Sequence, residues 1–282
     1  MLKLKMLLLS ISLIAPLSCF GWSAPVAAEP TDPDDPRALD NVWTRTLVVF
    51  PQAPDVYFYR AGQNLDYAIE QYAPKNLPAL IFLHGCSGLS ISSTQTTKMI
   101  RSLAEAGFVV FAPNSLDRPR KTYCYSPQQL FIDTTSIPQR LGELRYVLEQ
   151  IKKMDWIDQS NLFVGGHSLG GWTVTQWTGN DFRAAFITGA TCQPTTRMQQ
   201  KPGVQLPLET AVISLLGSSD EWFNYNLIAN NCGGFPEMKD KPNRKFMLLR
   251  GVSHDVTEDP AAMPAIIEFL KAHASRPIEP VK

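Results

Sequence analysis

Ser168 stands in the run Asn161-Leu-Phe-Val-Gly-Gly-His-Ser-Leu-Gly-Gly171, where an apolar stretch ends in Gly-His-Ser-Leu-Gly and a small-residue segment follows. This is the pattern of a nucleophile elbow, a sharp strand-to-helix turn that lifts one hydroxyl clear of a sheet. Gly166 and Gly170 suit a turn whose flanking backbones approach too closely for a Cβ. The plainer reading is a glycine-rich turn with Ser168 as a helix N-cap. A serine hydroxyl is a weak nucleophile. The pattern therefore gains chemical content only if the chain also supplies a base, an acid to orient it and donors for an oxyanion.

Four histidines are available as the base. His84 lies in His84-Gly-Cys-Ser-Gly88, directly after an apolar run, where it supports a loop. His167 precedes the serine inside the turn, so its side chain points away from the direction Oγ takes. His273 falls near the end of the last helical segment, facing solvent. His254 remains, in Gly251-Val-Ser-His-Asp255 just past the last apolar strand. That places it on a loop at the carboxyl edge of the sheet, where sites form in open α/β folds. In the chain order Ser, Asp/Glu, His, the acid falls between them. Asp220, in Gly217-Ser-Ser-Asp-Glu-Trp222 after an apolar strand, takes that place, with Glu221 and Asp255 as rivals. Its role is to hold the His254 tautomer and stabilise the imidazolium. The oxyanion donors expected are the backbone N–H groups of Leu169, after the nucleophile, and of Cys86, on the loop after an early strand.

These residues need a scaffold. Leu47–Phe50 and Val56–Arg60 read as an opening antiparallel pair. Leu80–Leu83, Phe108–Ala112, Asn161–Val164, Ala184–Ile187, Ala211–Leu216 and Phe246–Leu249 read as buried strands. Thr94–Ala106, Ile137–Met154 and Pro260–Ala274 have helical spacing, and a helix follows the elbow. Apolar strands alternating with helices argue an α/β fold with a mostly parallel central sheet and helices on both faces. One domain, residues 29–282, accommodates the pattern. Thr191–Leu208 is the one stretch where a lid would fit, so a lid is small or absent.

Residues 1–28 read as a signal peptide. Lys3 and Lys5 precede an apolar run from Met6 to Leu17, and Val26-Ala-Ala28 fits a cleavage site. The run is too short to span a bilayer. Cys19 has Pro16-Leu-Ser18 before it, a poor lipidation signal. The expectation is an exported protein, periplasmic or secreted, with no stable membrane insertion after cleavage. The cleaved chain carries 24 Lys and Arg against 26 Asp and Glu, which leaves no footprint for nucleic acid. It keeps Cys86, Cys124, Cys192 and Cys232, and an even count in an exported chain favours disulfides. Of the three pairings possible, Cys86–Cys124 and Cys192–Cys232 join loops at one end of the sheet. Without a Cys-x-x-Cys pair or a histidine cluster, no metal is expected.

The ordered segments His84-Gly-Cys-Ser-Gly88, Ala112-Pro-Asn-Ser-Leu-Asp-Arg118, the elbow, Gly217-Ser-Ser-Asp220 and Gly251-Val-Ser-His254 together resemble the dienelactone hydrolase branch of the α/β-hydrolase superfamily. The resemblance implies the α/β-hydrolase fold and hydrolysis of small-molecule esters or lactones without cofactor. Dienelactone hydrolases proper carry a cysteine in the elbow, so Ser168 points to serine-using, exported relatives. A peptidase of the oligopeptidase type, which shares the elbow, and a non-catalytic binding protein on the same scaffold are the competing readings. Arg118 is a candidate for a substrate carboxylate, set against a structural loop salt bridge. Tyr125 and Trp222 are candidates to line an apolar pocket.

Overall fold

The computed structural model describes residues 32–51, 59–73, 76–89, 94–118, 136–193, 201–223 and 231–279. The chain from Thr31 to Lys282 forms one compact unit. Its described strands are β1 (Leu47–Val49), β2 (Tyr59–Arg60), β3 (Leu77–Leu83), β4 (Val109–Ala112), β5 (Ile157–His167), β6 (Ala184–Thr188), β7 (Ala211–Gly217) and β8 (Arg244–Leu249). They build one sheet in the order β2-β1-β4-β3-β5-β6-β7-β8. β1 runs antiparallel to β2 and β4, and every later pairing is parallel. The sheet is therefore the mostly parallel one expected, with an antiparallel edge.

The helices are α1 (Pro36–Thr44), α2 (Leu65–Tyr72), α3 (Thr94–Glu105), α4 (Ser136–Lys152), α5 (Leu169–Thr175) and α6 (Ala262–Ala272). Side chains alternate along each strand, so successive residues enter opposite core layers. In β3, Ala79, Ile81 and Leu83 enter the layer closed by α4 and α5, through Leu144, Val147, Leu148 and Trp172. Leu80 and Phe82 enter the layer closed by α3 and α6, through Met99, Leu103, Ile266 and Leu270. With both faces covered, all seven residues of β3 and of β7 are buried, which is why they read as nearly continuous apolar runs, Ser214 excepted.

Two helices escaped the sequence reading. In α1, Asp35 caps the helix by accepting from the Arg37 amide at 3.0 Å, and Pro36 occupies the first turn. That is the start signal in which proline's fixed φ and missing N–H cost nothing. In α2, Leu65, Ala68, Ile69 and Tyr72 carry the i, i+3, i+4, i+7 pattern over only eight residues.

Strand order positions the site. The chain leaves β3 for β4 on one side, then returns as β5 on the other. α3 lies on one face of the sheet and α5 on the opposite one, so the loops after β3 and β5 diverge. Their divergence opens a crevice at the carboxyl ends of the strands, the topological switch point. Ser168 sits there at φ 55° and ψ −121°, left-handed backbone that only a special turn imposes on a non-glycine residue. The turn is possible because α5 starts almost in contact with β3. A Cβ at Gly170 would lie 2.0 Å from the Leu83 carbonyl oxygen, and one at Gly166 would lie 2.4 Å from Gly170 backbone.

Gly170→Ala is accordingly expected to destabilise the protein by at least about 2 kcal/mol, because backbone rather than a movable side chain blocks the methyl. Gly234→Ala, where a Cβ meets nothing within 4 Å, serves as control. Urea midpoints that coincide for the two variants would refute this account of the turn.

Candidate active site

Asp220 and His254 come from loops 34 residues apart and meet with Asp220 Oδ2 accepting from His254 Nδ1 at 2.7 Å. The Asp220 side chain is fully buried and that of His254 is 14% exposed, so the carboxylate is shielded and the imidazole opens toward solvent. The second Asp220 oxygen accepts from the Trp222 amide at 3.0 Å, which locks the carboxylate plane. Glu221, the rival acid, turns the other way. Its Oε2 accepts from the backbone N–H of His254 at 3.2 Å and so holds the loop rather than the ring. Asp255 accepts from the Thr257 amide in the following turn.

The imidazole of His254 is caged by rings. His167 lies 4.7 Å away between centroids, Trp222 5.6 Å and Phe223 6.1 Å. His167, read as pointing away from the direction Oγ takes, nevertheless borders His254. As the last residue of β5 it is buried against the His254 ring, with Gln95 Nε2 at 3.1 Å and Thr188 Oγ1 at 3.3 Å from its nitrogens. Burial, reinforced by the neighbouring His254, pushes its pKa well below the usual histidine range. It therefore stays neutral and gives the cage no competing charge. Gly189, at φ +56°, makes room for both imidazoles. A Cβ there would lie 2.6 Å from His167 Cε1 and 3.2 Å from His254 Cε1.

Ser168 is half-buried at the mouth of the elbow, its N–H donating to the Thr188 carbonyl at 2.8 Å. Among the described residues no hydrogen bond joins its Oγ to His254. Such contacts are commonly long in ligand-free enzymes and tighten when substrate binds. Leu169 is the first residue of α5, where backbone N–H groups have no partner within the helix. The loop after β3 passes over the nucleophile, and a Cβ at Gly85 would lie 3.2 Å from that of Ser168.

Behind that loop sits a buried polar cluster that the sequence reading missed. Glu143 Oε1 accepts from Arg118 Nε, with both side chains only 1% exposed, and its Oε2 accepts from Ser115 Oγ. Arg118 also donates to the Pro33 carbonyl at 2.9 Å. Reading Arg118 as a substrate ligand is thereby corrected. Its guanidinium is buried and committed to Glu143, the structural salt bridge that was the alternative. Arg140, from α4, donates to the carbonyls of His84 and Gly85. No local pattern announces these contacts, since Arg140 and Glu143 look like ordinary polar positions on an amphipathic helix.

Cys192 and Cys232 form a disulfide that ties the loop after β6 to the turn before β8. Cys86 is also disulfide-bonded, whereas Cys124, its expected partner, and Tyr125 lie outside the described residues. Trp222 stands at the cage wall, half-buried. His273, expected at the surface, is half-buried and stacks on Phe269 at 4.4 Å. Among the described residues no group of His, Cys, Asp and Glu gathers as metal ligands, and no helix is long and apolar enough to cross a membrane.

His84 is fully buried, and its pKa is pushed down to about 3, chiefly by desolvation and then by the Arg140 charge. The unfolded chain takes up this proton below about pH 6.5, whereas the native state refuses it until about pH 3. Stability is therefore expected to fall as pH drops across that window, by up to about 1.4 kcal/mol per pH unit for one histidine. Urea unfolding between pH 4 and 6 should show a slope that shrinks by about one proton in His84→Asn. An unchanged slope would contradict it.

Among curated proteins none matches the chain. Solved structures of similar fold are numerous. An α/β serine hydrolase without lid from Xanthomonas campestris shares 13% identity at a TM-score of 0.51, with 82% of this chain and 94% of that one covered. Est1E of Butyrivibrio proteoclasticus with bound ferulic acid shares 14% at 0.52, covering 81% and 94%. A dienelactone hydrolase-like promiscuous phosphotriesterase from metagenomic libraries shares 14% at 0.52, covering 72% and 89%. At these identities the likeness is one of fold, that of the α/β hydrolases. The model of the dienelactone hydrolase family matches residues 66–240, well over half of the sequence, and the chain belongs to that family.

Proposed function

We propose that the protein hydrolyses small carboxylic esters, lactones included, through an acyl-enzyme on Ser168. The observation that carries this reading is the 2.7 Å contact between Asp220 Oδ2 and His254 Nδ1 beside the elbow. An imidazole whose Nδ1–H is held by a buried carboxylate presents an unprotonated Nε2, the form that accepts a hydroxyl proton.

Ser168 Oγ attacks the ester carbonyl while His254 takes its proton. The carbonyl oxygen becomes an oxyanion and receives the N–H groups of Leu169 and Cys86. The tetrahedral intermediate collapses, the alcohol leaves with the proton from His254, and an acyl-serine remains. Water, deprotonated by His254, attacks this ester, and a second collapse releases the carboxylic acid and restores Ser168. Asp220 stays ionised throughout and stabilises the imidazolium. Trp222 and Phe223 shield the pair from water on one side, and Trp222 offers the substrate an apolar wall.

Export fits the same reading. Residues 1–28 act as a signal peptide, and the mature protein works in the periplasm or outside the cell. The Cys192–Cys232 disulfide is compatible with an oxidising compartment.

Ser168→Ala is expected to lower turnover of nitrophenyl acetate at least about 10⁴-fold and to abolish fluorophosphonate labelling. Asp220→Asn should reduce kcat by about 10⁴ with little change in KM, because it leaves the ring in the wrong tautomer. A folded Ser168→Ala protein with native turnover would exclude the assignment.

A further inference from the structure

The oxyanion loop is held from behind by groups that never meet substrate. Ser115 N–H donates to His84 Nε2 at 3.0 Å, so that nitrogen is the acceptor. In a neutral imidazole the proton then resides on Nδ1, which lies 2.5 Å from the Gly85 carbonyl oxygen. Arg140 brings a second donor to that oxygen at 3.4 Å, and the Gly88 amide a third at 3.3 Å. Arg140 Nη1 donates to the preceding carbonyl, that of His84, and Nη2 also lies 3.2 Å from His84 Nδ1.

Peptide planarity converts this grip into a direction. No cis peptide is present among the described residues, and in a trans unit the C=O and the following N–H point opposite ways. With the Gly85 carbonyl held by three donors, the Cys86 N–H points away from them, and a Cβ at Gly85 would lie 3.2 Å from that of Ser168, so the peptide borders the serine. The charge reinforces the geometry. Arg118 and Arg140 face Glu143, the one carboxylate bonded within this cluster among the described residues. A cation behind the carbonyl end polarises the peptide and makes its N–H end a stronger partner for an anion.

We infer that Arg140 and His84 are positioning residues for ester hydrolysis, orienting and polarising the Gly85–Cys86 peptide as an oxyanion donor. The inference rests on the proposed role of the Cys86 amide and extends it to the groups that set that amide. Such a strut acts only when the carbonyl oxygen becomes charged, so it affects kcat rather than ground-state binding.

The test is a series, Arg140→Lys and Arg140→Met, with rates divided by the sites titrated with a fluorophosphonate so that misfolded protein does not count. Expected is a fall in kcat of about 10- to 100-fold in Arg140→Met, short of the effect of deleting an oxyanion donor outright. Arg140→Lys, which keeps the charge and one donor, should recover part of it, and KM should hold in both. Native kcat per titrated site, or a rise in KM at constant kcat, overturns the proposal. If neither variant folds, the native protein decides, through a crystal structure with an arylboronic acid on Ser168. The boronate oxygen should lie about 3 Å from Cys86 N with the Gly85 carbonyl still on Arg140. A flipped Gly85–Cys86 peptide refutes the strut. An unflipped peptide with the oxygen elsewhere refutes the Cys86 assignment and the proposal with it. Native turnover in Ser168→Ala, by contrast, would fail the serine mechanism itself.

Discussion

The site depends on how closely α5 can approach the end of β3. With hydrogen as the side chain at 170, the first turn of the helix rests on the Leu83 carbonyl. Three consequences follow from that one contact. Ser168 is held in positive-φ backbone at the mouth of the crevice. Leu169 opens α5 directly after it, and the loop that continues from Leu83 passes beside Ser168, where a Cβ at Gly85 would lie 3.2 Å from that of Ser168. A methyl group at this point would separate the elbow from the loop that completes it. Catalytic geometry and backbone packing are therefore one constraint here, as expected where strain is held by an over-determined surrounding structure.

Around that contact the protein arranges two histidine environments of opposite character. His254 keeps a small solvent-facing edge, backed by a buried carboxylate and walled by aromatic rings. His84 is sealed beside a guanidinium and stays neutral far into acid. The same side chain thus stands in one place beside a buried carboxylate, where proton exchange is the role proposed for it, and in the other as a fixed donor and acceptor. Burial and the neighbouring charge make the difference. Buried ions such as Arg118, Glu143 and Arg140 contribute little net stability once desolvation is counted. Their place beneath the loop after β3 fits the proposed control of that loop's orientation better than support of the fold.

Much of this was legible in the chain. The central strands announced themselves because they are buried on both faces, and such strands are predominantly apolar. The elbow was legible because its glycines and serine serve a local turn, complete within a few residues. The short helices α1 and α2 were not, since eight or nine residues carry too little periodicity to stand out. In α1 the informative signal was the cap at Asp35 and Pro36 rather than the pattern. The place of His167 beside His254 was not legible for a related reason. Its direction was argued from the serine next to it, whereas its neighbour is set by Gly189 at the end of another strand.

What the sequence by itself determined was the nucleophile candidate, the order of its partners along the chain and the class of sheet that carries them. These are encoded in spacings of a few residues and in hydrophobic runs. Only the tertiary structure decided that Asp220 rather than Glu221 takes the imidazole, because the two side chains leave one loop in different directions. It alone withdrew Arg118 from the substrate and committed it to Glu143, 25 residues away, and it alone brought Arg140 beneath His84 across 56 residues. Each of these depends on which polar groups the closing core seals off together, and a buried charge takes whatever partner packing delivers.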